Sequence, residues 1–408
     1  MNSACDVAII GAGPAGSVAA ADLARRGWRV SVFEQGRFPR FSIGESLLPQ
    51  SMQFLEQAGL RDRVTTAGFQ KKDGAAFQQG PKAQSLDFSE KSADGFASTF
   101  EVTRADFDQV LAEGAAEAGA NVQFGTRVTG FSEADGGGAS IFIEDEGGNP
   151  ARVDARLVLD ASGFGRSLAR LLDLERPSGF PVRSSLFRHF DDHIRDASFD
   201  REKILISIHP VNPSIWYWLI PLANGRSSVG VVGTEADIAA AGRDDEERFA
   251  ELVKASGRMG ELLSDAVPIR DIGRLTGYSA SVASLTGPGW VLLGNAAEFL
   301  DPIFSSGVTI ALKSASLAAD VAHRQLSGEA VDWKADYESP LTSGIETFRA
   351  FVNSWYRGEL QHIIMNQPPG PNKLKSMIIS ILAGYVWDKD NLFVQNPQRY
   401  LKLVHELC

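Results

Sequence analysis

Cysteine is almost absent from this sequence. Its 408 residues hold two, Cys5 and Cys408, so no disulfide framework can staple the fold, and a reducing cytoplasm is the expected compartment. Cys5 lies in an apolar run and reads as plain packing. Clustered basic charge is also missing. With 40 basic residues against 51 acidic ones the net charge is −11, which argues against a nucleic-acid partner, because phosphate binding needs concentrated Lys and Arg. No run approaches the roughly 18 apolar residues of a membrane span. The N-terminus shows no basic segment, apolar stretch and cleavage site, so no export signal is read. The six His show no ligand spacing with Cys or carboxylates, and neither a metal site nor a Ser-His-Asp order is read. Repeats and low-complexity tracts are absent.

What remains is an ordinary globular composition, 44% hydrophobic and 22% charged, long enough for two intergrown domains and an appendage. The opening pattern is strand, glycine-rich turn, helix, strand: residues 6–10, a turn at Gly11, residues 17–26 stopped by Gly27, then 29–33 ending in Glu34. This is a βαβ unit. Gly11-Ala12-Gly13-Pro14-Ala15-Gly16 is G-x-G-x-x-G. Gly11 makes the tight turn, Gly13 admits a pyrophosphate, Gly16 lets helix pack on strand, and the helix N-terminus offers N–H groups to the phosphates. Glu34 stands where a carboxylate takes ribose hydroxyls. A dinucleotide site is therefore expected, with Ala15 and the three glycines as its loop.

Further on, residues 105–118 read as a helix, 122–124 as a strand, and Gly136 to Gly138 as the turn of a hairpin. Residues 156–159 form a strand running into Asp160-Ala161-Ser162-Gly163. Between 186 and 232 the pattern becomes alternating strands (204–208, 216–220, 228–232), an antiparallel sheet inserted into the α/β body. Helices follow at 246–255 and 259–264, a strand at 290–293, and a long helix from Val308 to about Leu326. From Trp333 the chain is mostly helical and rich in aromatics, with a turn or linker at Pro368-Pro369-Gly370-Pro371. The apolar run 376–384 either caps a chamber or builds a dimer face; the oligomeric state is open.

Several segments carry a resemblance. Thr103-Arg104-Ala105-Asp106-Phe107, Asp160-Ala161-Ser162-Gly163 and Gly294-Asn295-Ala296-Ala297-Glu298-Phe299-Leu300-Asp301-Pro302 resemble the FAD-contact motifs of the glutathione-reductase-like flavoprotein monooxygenases. One departure is Asn295, where that superfamily usually has Asp. Arg40-Phe41-Ser42-Ile43-Gly44-Glu45-Ser46-Leu47-Leu48-Pro49, Phe69-Gln70-Lys71-Lys72-Asp73-Gly74-Ala75, Trp216-Tyr217-Trp218-Leu219-Ile220-Pro221 and Asp301-Pro302-Ile303-Phe304-Ser305-Ser306-Gly307-Val308 are similar to segments of the FAD-dependent halogenases of the tryptophan, phenol and pyrrole type. A second departure is Ile215, where the family has glycine before the tryptophan motif.

The resemblance implies an α/β fold with a Rossmann-like FAD-binding domain (1–66, 100–168, 268–326), an inserted antiparallel-sheet substrate domain (67–99, 169–267) and a helical C-terminal region capping the substrate chamber (327–408). It implies FAD, used as FADH2, held by Gly11, Gly13, Ala15, Gly16, Glu34, Arg40, Ser46, Arg104, Asp160, Gly163, Asp301, Gly307 and Val308. Chloride or bromide would sit at Ser306 and Gly307, just before the long helix, where backbone N–H groups supply a positive pocket. Lys72 would be the tunnel lysine that holds the hypohalous acid, with Lys71 as the other candidate, because strand neighbours face opposite ways and only one can face the tunnel. Trp216 and Trp218 share a strand face and are either core or the wall between flavin and substrate. Arg40 pairs with a phosphate or with a nearby carboxylate.

No second dinucleotide fingerprint is present, so a separate flavin reductase would supply FADH2. The implied activity is halogenation of an electron-rich phenol or pyrrole, free or tethered to an acyl or peptidyl carrier protein, in antibiotic or other secondary-metabolite biosynthesis. The alternative on the same fold is an aromatic monooxygenase or a prenyl-type reductase. A flavin-binding sensor or assembly protein is the non-enzymatic reading.

Overall fold

The computed structural model describes residues 2–134, 137–366, 370 and 372–407. Gly136 of the expected hairpin, Pro368, Pro369 and Pro371 of the expected linker, and Cys408 lie outside the described residues. The first layer is an eight-stranded sheet on the parallel order expected of a dinucleotide fold: Trp290–Leu292, Pro150–Asp160, Asn2–Ile10, Val30–Glu34 and Asn121–Phe124 run side by side, with Thr286–Gly287 antiparallel at one edge. The hairpin Thr126–Ala134 and Gly138–Asp145 is attached to Pro150–Asp160. Val7, Ile9, Val32 and Leu157 are fully buried on one face, and Ala8, Val158 and Leu292 on the other. Near-continuous apolar strands are what a sheet covered on both sides requires.

A second eight-stranded sheet follows the order Val267–Pro268, Ser184–Asp191, Arg226–Gly233, Trp216–Leu222, Lys203–Ile208, Gly74–Gln79, Lys82–Asp87. All its pairings are antiparallel except Lys203–Ile208 with Gly74–Gln79, which is parallel. The sheet continues past residue 267, taking in Gly273–Thr276 beside Ser184–Asp191. A short ladder of Gln70–Lys72 against Thr99–Glu101 ties this sheet to the flavin-covering segment.

The long helix begins at Ser306, two residues earlier than the sequence suggests, and runs to Leu326. Ser306 and Gly307 are thus its first turn and not the loop before it. Ser305 takes a left-handed conformation (φ 55°) that turns the chain sharply from the Asp301-Pro302 turn into the helix. After it, the helices Ser339–Tyr356, Glu359–Met365 and Lys373–Leu382 bury Phe348, Phe351, Trp355, Ile363, Ile378 and Ile381. These residues belong to the same hydrophobic core as the nucleotide helix and the tryptophan strand. The run 376–384 is buried core and no dimer face. No helix among the described residues is long and apolar enough to cross a membrane.

Candidate active site

The glycine loop shows why each glycine is needed. A Cβ on Gly11 (φ 93°) would stand 2.7 Å from the Ala161 carbonyl oxygen, and one on Gly16 would stand 1.9 Å from that of Gly11. Gly13 is different: a Cβ there would meet only Arg40, at 3.9 Å, so its surface is open to an incoming group. Pro14 occupies the first turn of the helix Pro14–Arg25, where its missing N–H costs nothing. Glu34 accepts from the backbone N–H of Ala12 and of Gly36, both at 2.9 Å, which fixes its carboxylate at the end of the second strand.

A cavity of about 640 Å³ starts at this loop. Its lining passes from Gly11, Gly13, Ala15 and Glu34, along Arg40 and the segment 42–46, to Trp216, Trp218 and Ile220, and closes on Pro302, Ser305, Gly307 and Val308. The glycine loop and three of the four halogenase-like segments thus meet in one space, while no residue of 69–75 lines it. Arg104 explains how the covering segment is held: its guanidinium donates to Asp108 (2.8 and 3.0 Å) and to the Ile43 carbonyl (2.6 Å). Gly44 (φ 99°) passes so close that a Cβ would lie 3.1 Å from Arg104 Nη1. Arg40 lies 3.4 Å from Asp108 and 3.7 Å from Glu34, pairing with carboxylates while its head also lines the cavity.

Two expected cofactor residues stand behind the wall. Asp160 is fully buried and accepts from the N–H of Ser162 (2.9 Å) and Leu168 (2.7 Å). It shapes the loop so that Ser162 and Gly163 face the cavity. Asp301 accepts from the Ile303 N–H (3.0 Å) and from the Tyr356 hydroxyl (2.8 Å). Burial pushes its carboxyl up to about 6, against the lowering effect of the Tyr356 hydroxyl. Its neighbours Pro302 and Ile303 line the cavity in its place.

The tryptophan strand divides its two faces. Trp216, Trp218 and Ile220 face the cavity, while Tyr217 and Leu219 pack on the outer side with Phe249 and Leu252 of the helix Asp245–Ala255. Ile215 belongs to that outer cluster, so the departure from glycine there leaves the chamber untouched. The indole N–H of Trp216 donates to the Tyr356 hydroxyl at 3.1 Å and that of Trp218 to Ser228 Oγ at 3.3 Å. The rings lie 6.0 Å apart, tilted by 47°.

The two lysines are separated as strand alternation demands. Lys71 is exposed and paired with Glu202. Lys72 is 1% exposed. Its ammonium donates to Ser46 Oγ (2.6 Å) and to the Leu47 carbonyl (2.8 Å), and burial draws its pKa down, with the nearby Glu101 opposing that shift. Lys72 sits one layer behind the cavity and touches it through Ser46, which is a lining residue. Ser306 is likewise buried at the helix start, while Gly307 reaches the surface of the cavity.

Sequence reasoning missed four participants. Tyr356 joins the tryptophan motif to Asp301, yet lies in a tail no motif covers. Arg127 lines the nucleotide end of the cavity. Glu101 and His189 flank Lys72 and Glu45; neither lies in a motif, and no local period names a partner.

The fit to FAD rests on these features: an open glycine loop at a helix N-terminus, a fixed carboxylate at the second strand, and an elongated cavity beyond. The family described as FAD binding domain matches residues 4–339. The chain is similar to the 1H-pyrrole-2-carbonyl-(peptidyl-carrier protein) chlorinase of Pseudomonas fluorescens, 31% identical, with 97% of this chain and 92% of that protein covered. In structure it is similar to a flavoprotein/dehydrogenase of Cytophaga hutchinsonii, with a TM-score of 0.95 and 40% identity over 99% of this chain and 98% of that one. It also resembles a triple mutant of the flavin-dependent brominase Bmp2, with a TM-score of 0.84 and 26% identity over 98% and 100%. The cofactor is FAD, and the chain belongs to the family of flavin-dependent halogenases.

Proposed function

We propose that this enzyme uses FADH2, dioxygen and chloride or bromide to halogenate an electron-rich aromatic of the pyrrole or phenol class, presented on a carrier protein or free. The carrying observation is the single cavity that joins the glycine loop, the covering segment, the tryptophan face and the start of the long helix. Bound reduced FAD supplies the two electrons that activate dioxygen. The chain's own residues do the rest. Gly11, Gly13, Ala15, Gly16 and Glu34 hold the nucleotide end, and Arg104 fixes the covering segment whose Ser46 lines the chamber. Gly163 and Val308 shape the walls; Asp160 and Asp301 set the turns from behind. The first N–H groups of a 21-residue helix, at Ser306 and Gly307, offer a halide the positive end of the helix dipole. Trp216 and Trp218 keep water and the aromatic apart from the flavin face. Lys72 stands behind the wall and acts on the hypohalous acid through the Ser46 hydroxyl that accepts from its ammonium. A separate reductase supplies FADH2.

The test supplies reduced flavin, oxygen, bromide or chloride, and both free and carrier-tethered pyrroles and phenols, and reads halogenated product by mass. The expected result is halide incorporation, lost at least a hundredfold in Lys72→Ala and kept within about twofold in Lys71→Ala, whose exposed pair contributes little. Oxygenated product without halogen would select the monooxygenase reading, which the family membership does not favour.

A further inference from the structure

The described residues include a group of buried acid–base side chains that the function above does not use. Glu45 and Glu101 are each 1% exposed. None of their four carboxylate oxygens has an aligned hydrogen-bond partner within the protein, nor has Nε2 of His189. A buried polar atom without an aligned partner is costly to keep, so this cluster asks for a reason.

They form a line. His189, on Ser184–Asp191, is 15% exposed at its side chain and places Nε2 2.8 Å from Glu45 Oε1. Outward of it lie the exposed ring of Phe41, 5.7 Å away, and the guanidinium of Arg270 over that ring. Inward, Glu45 lines the cavity and acts on Glu101, whose carboxyl is pushed up to about 7 by burial first and by Glu45 as well, with Lys72 and Ser46 opposing. Glu101 shares a face of the short ladder with Lys72, since Gln70 is its direct partner and Lys72 is two residues on. Ser46, bridged to Glu101 across the strands, accepts from Lys72. The groups facing this line are Lys72, Arg270 and the Arg104–Asp108 pair beyond Gly44.

We propose that His189, Glu45 and Glu101 are a proton relay that carries protons from the partly exposed His189 to Lys72 and the cavity. The inference rests on the halogenase reading, whose balance demands a proton. Reduced flavin, dioxygen, halide, one proton and the aromatic C–H give oxidised flavin, the aryl halide and two waters. Dioxygen takes four electrons, two from flavin and two as C–H is replaced by carbon–halogen, and both its oxygens leave as water. One proton enters per turnover, and Lys72, behind the cavity wall, is only 1% exposed. Glu101 and His189 act through Lys72 and Glu45; they are positioning residues.

The experiment compares the FAD-loaded enzyme with Glu101→Gln, a near-isosteric change, and His189→Asn, a change nearer the surface. Two measurements are made on each. Infrared titration of the protein as purified should show a buried protonated carboxyl that loses its proton near pH 7 in the wild type and is missing in Glu101→Gln. Turnover should fall about tenfold or more in either variant, with KM for the aromatic within twofold and the pH dependence near 7 flattened. A wild type that halogenates, with Glu101→Gln keeping both its rate and its pH profile, overturns the relay alone. A wild type that halogenates nothing under any supply overturns the parent reading and the relay with it. A loss of rate in both variants with an unchanged pH profile also overturns the relay, because it reports damage to shape and not to proton supply.

Discussion

Gly230 has no functional group, yet it makes the width of the tryptophan wall possible. It pairs directly with Trp218 across the strands, and a Cβ there would stand 2.1 Å from the indole ring. Gly230→Ala must push the ring toward the cavity or bend the strand, at about 1–3 kcal/mol. Urea unfolding should show that loss, together with a weaker KM for the aromatic; unchanged values for both would mean that the ring has room to spare. The same dependence on distant neighbours decides what a sequence discloses about residues. Strand alternation alone separates Lys71 from Lys72, because it is a property of one strand. Glu101 beside Lys72, and Gly230 beside Trp218, come from pairing between segments 27 or more positions apart in one case and from a hairpin in the other, and no local period announces either.

Elements meet at Tyr356, the last residue of the helix Ser339–Tyr356. Its hydroxyl accepts from Trp216 and donates to Asp301, and the Arg183 guanidinium lies 4.2 Å over its ring. Tyr356→Phe leaves the indole N–H and one carboxylate oxygen without this partner, a loss of about 1–3 kcal/mol. The wall strand and the Asp301-Pro302 turn would then shift independently. The expected result is that more reduced flavin is consumed per halogenated product, by several-fold, with FAD affinity kept within about twofold. Full coupling in the variant would show that strand and turn need no tie. The pH sign is fixed as well: the Asp301 carboxyl is raised from 3.8 to about 6, so its protonated form favours the folded state. That contribution is complete below about pH 4 and is lost as pH rises through 6. Stability of the wild type relative to Asp301→Asn should therefore fall across that interval.

In the molecule as a whole, the βαβ start, the inserted sheet and the long helix were legible because each has a local period or a glycine signature. The tail was not, because its role lies in what it covers. Its helices share one core with the nucleotide helix, and the backbone of Gln50 donates to the Ala383 carbonyl at 3.1 Å. A chain cut after Leu326 would leave that core open, since Phe348, Phe351, Trp355 and Ile378 are all buried in it. No cooperative unfolding transition should remain, by calorimetry or circular dichroism; a sharp transition in the shortened chain would make the tail an accessory.

The shared core also sets an order of events during synthesis. A ribosome delivers the glycine loop and Glu34 first, but Tyr356 and Ala383, which tie the tail to Trp216, Asp301 and Gln50, come 322 to 372 residues later by their positions in the sequence. For most of its time on the ribosome the chain therefore owns a nucleotide loop without a chamber to protect what binds there. FAD that stays has to be captured after the distant helices have docked, and contacts this far apart in sequence form slowly. Cells that make the protein fast and warm should accumulate flavin-poor chains, and slower synthesis should raise the loaded fraction without any change in sequence.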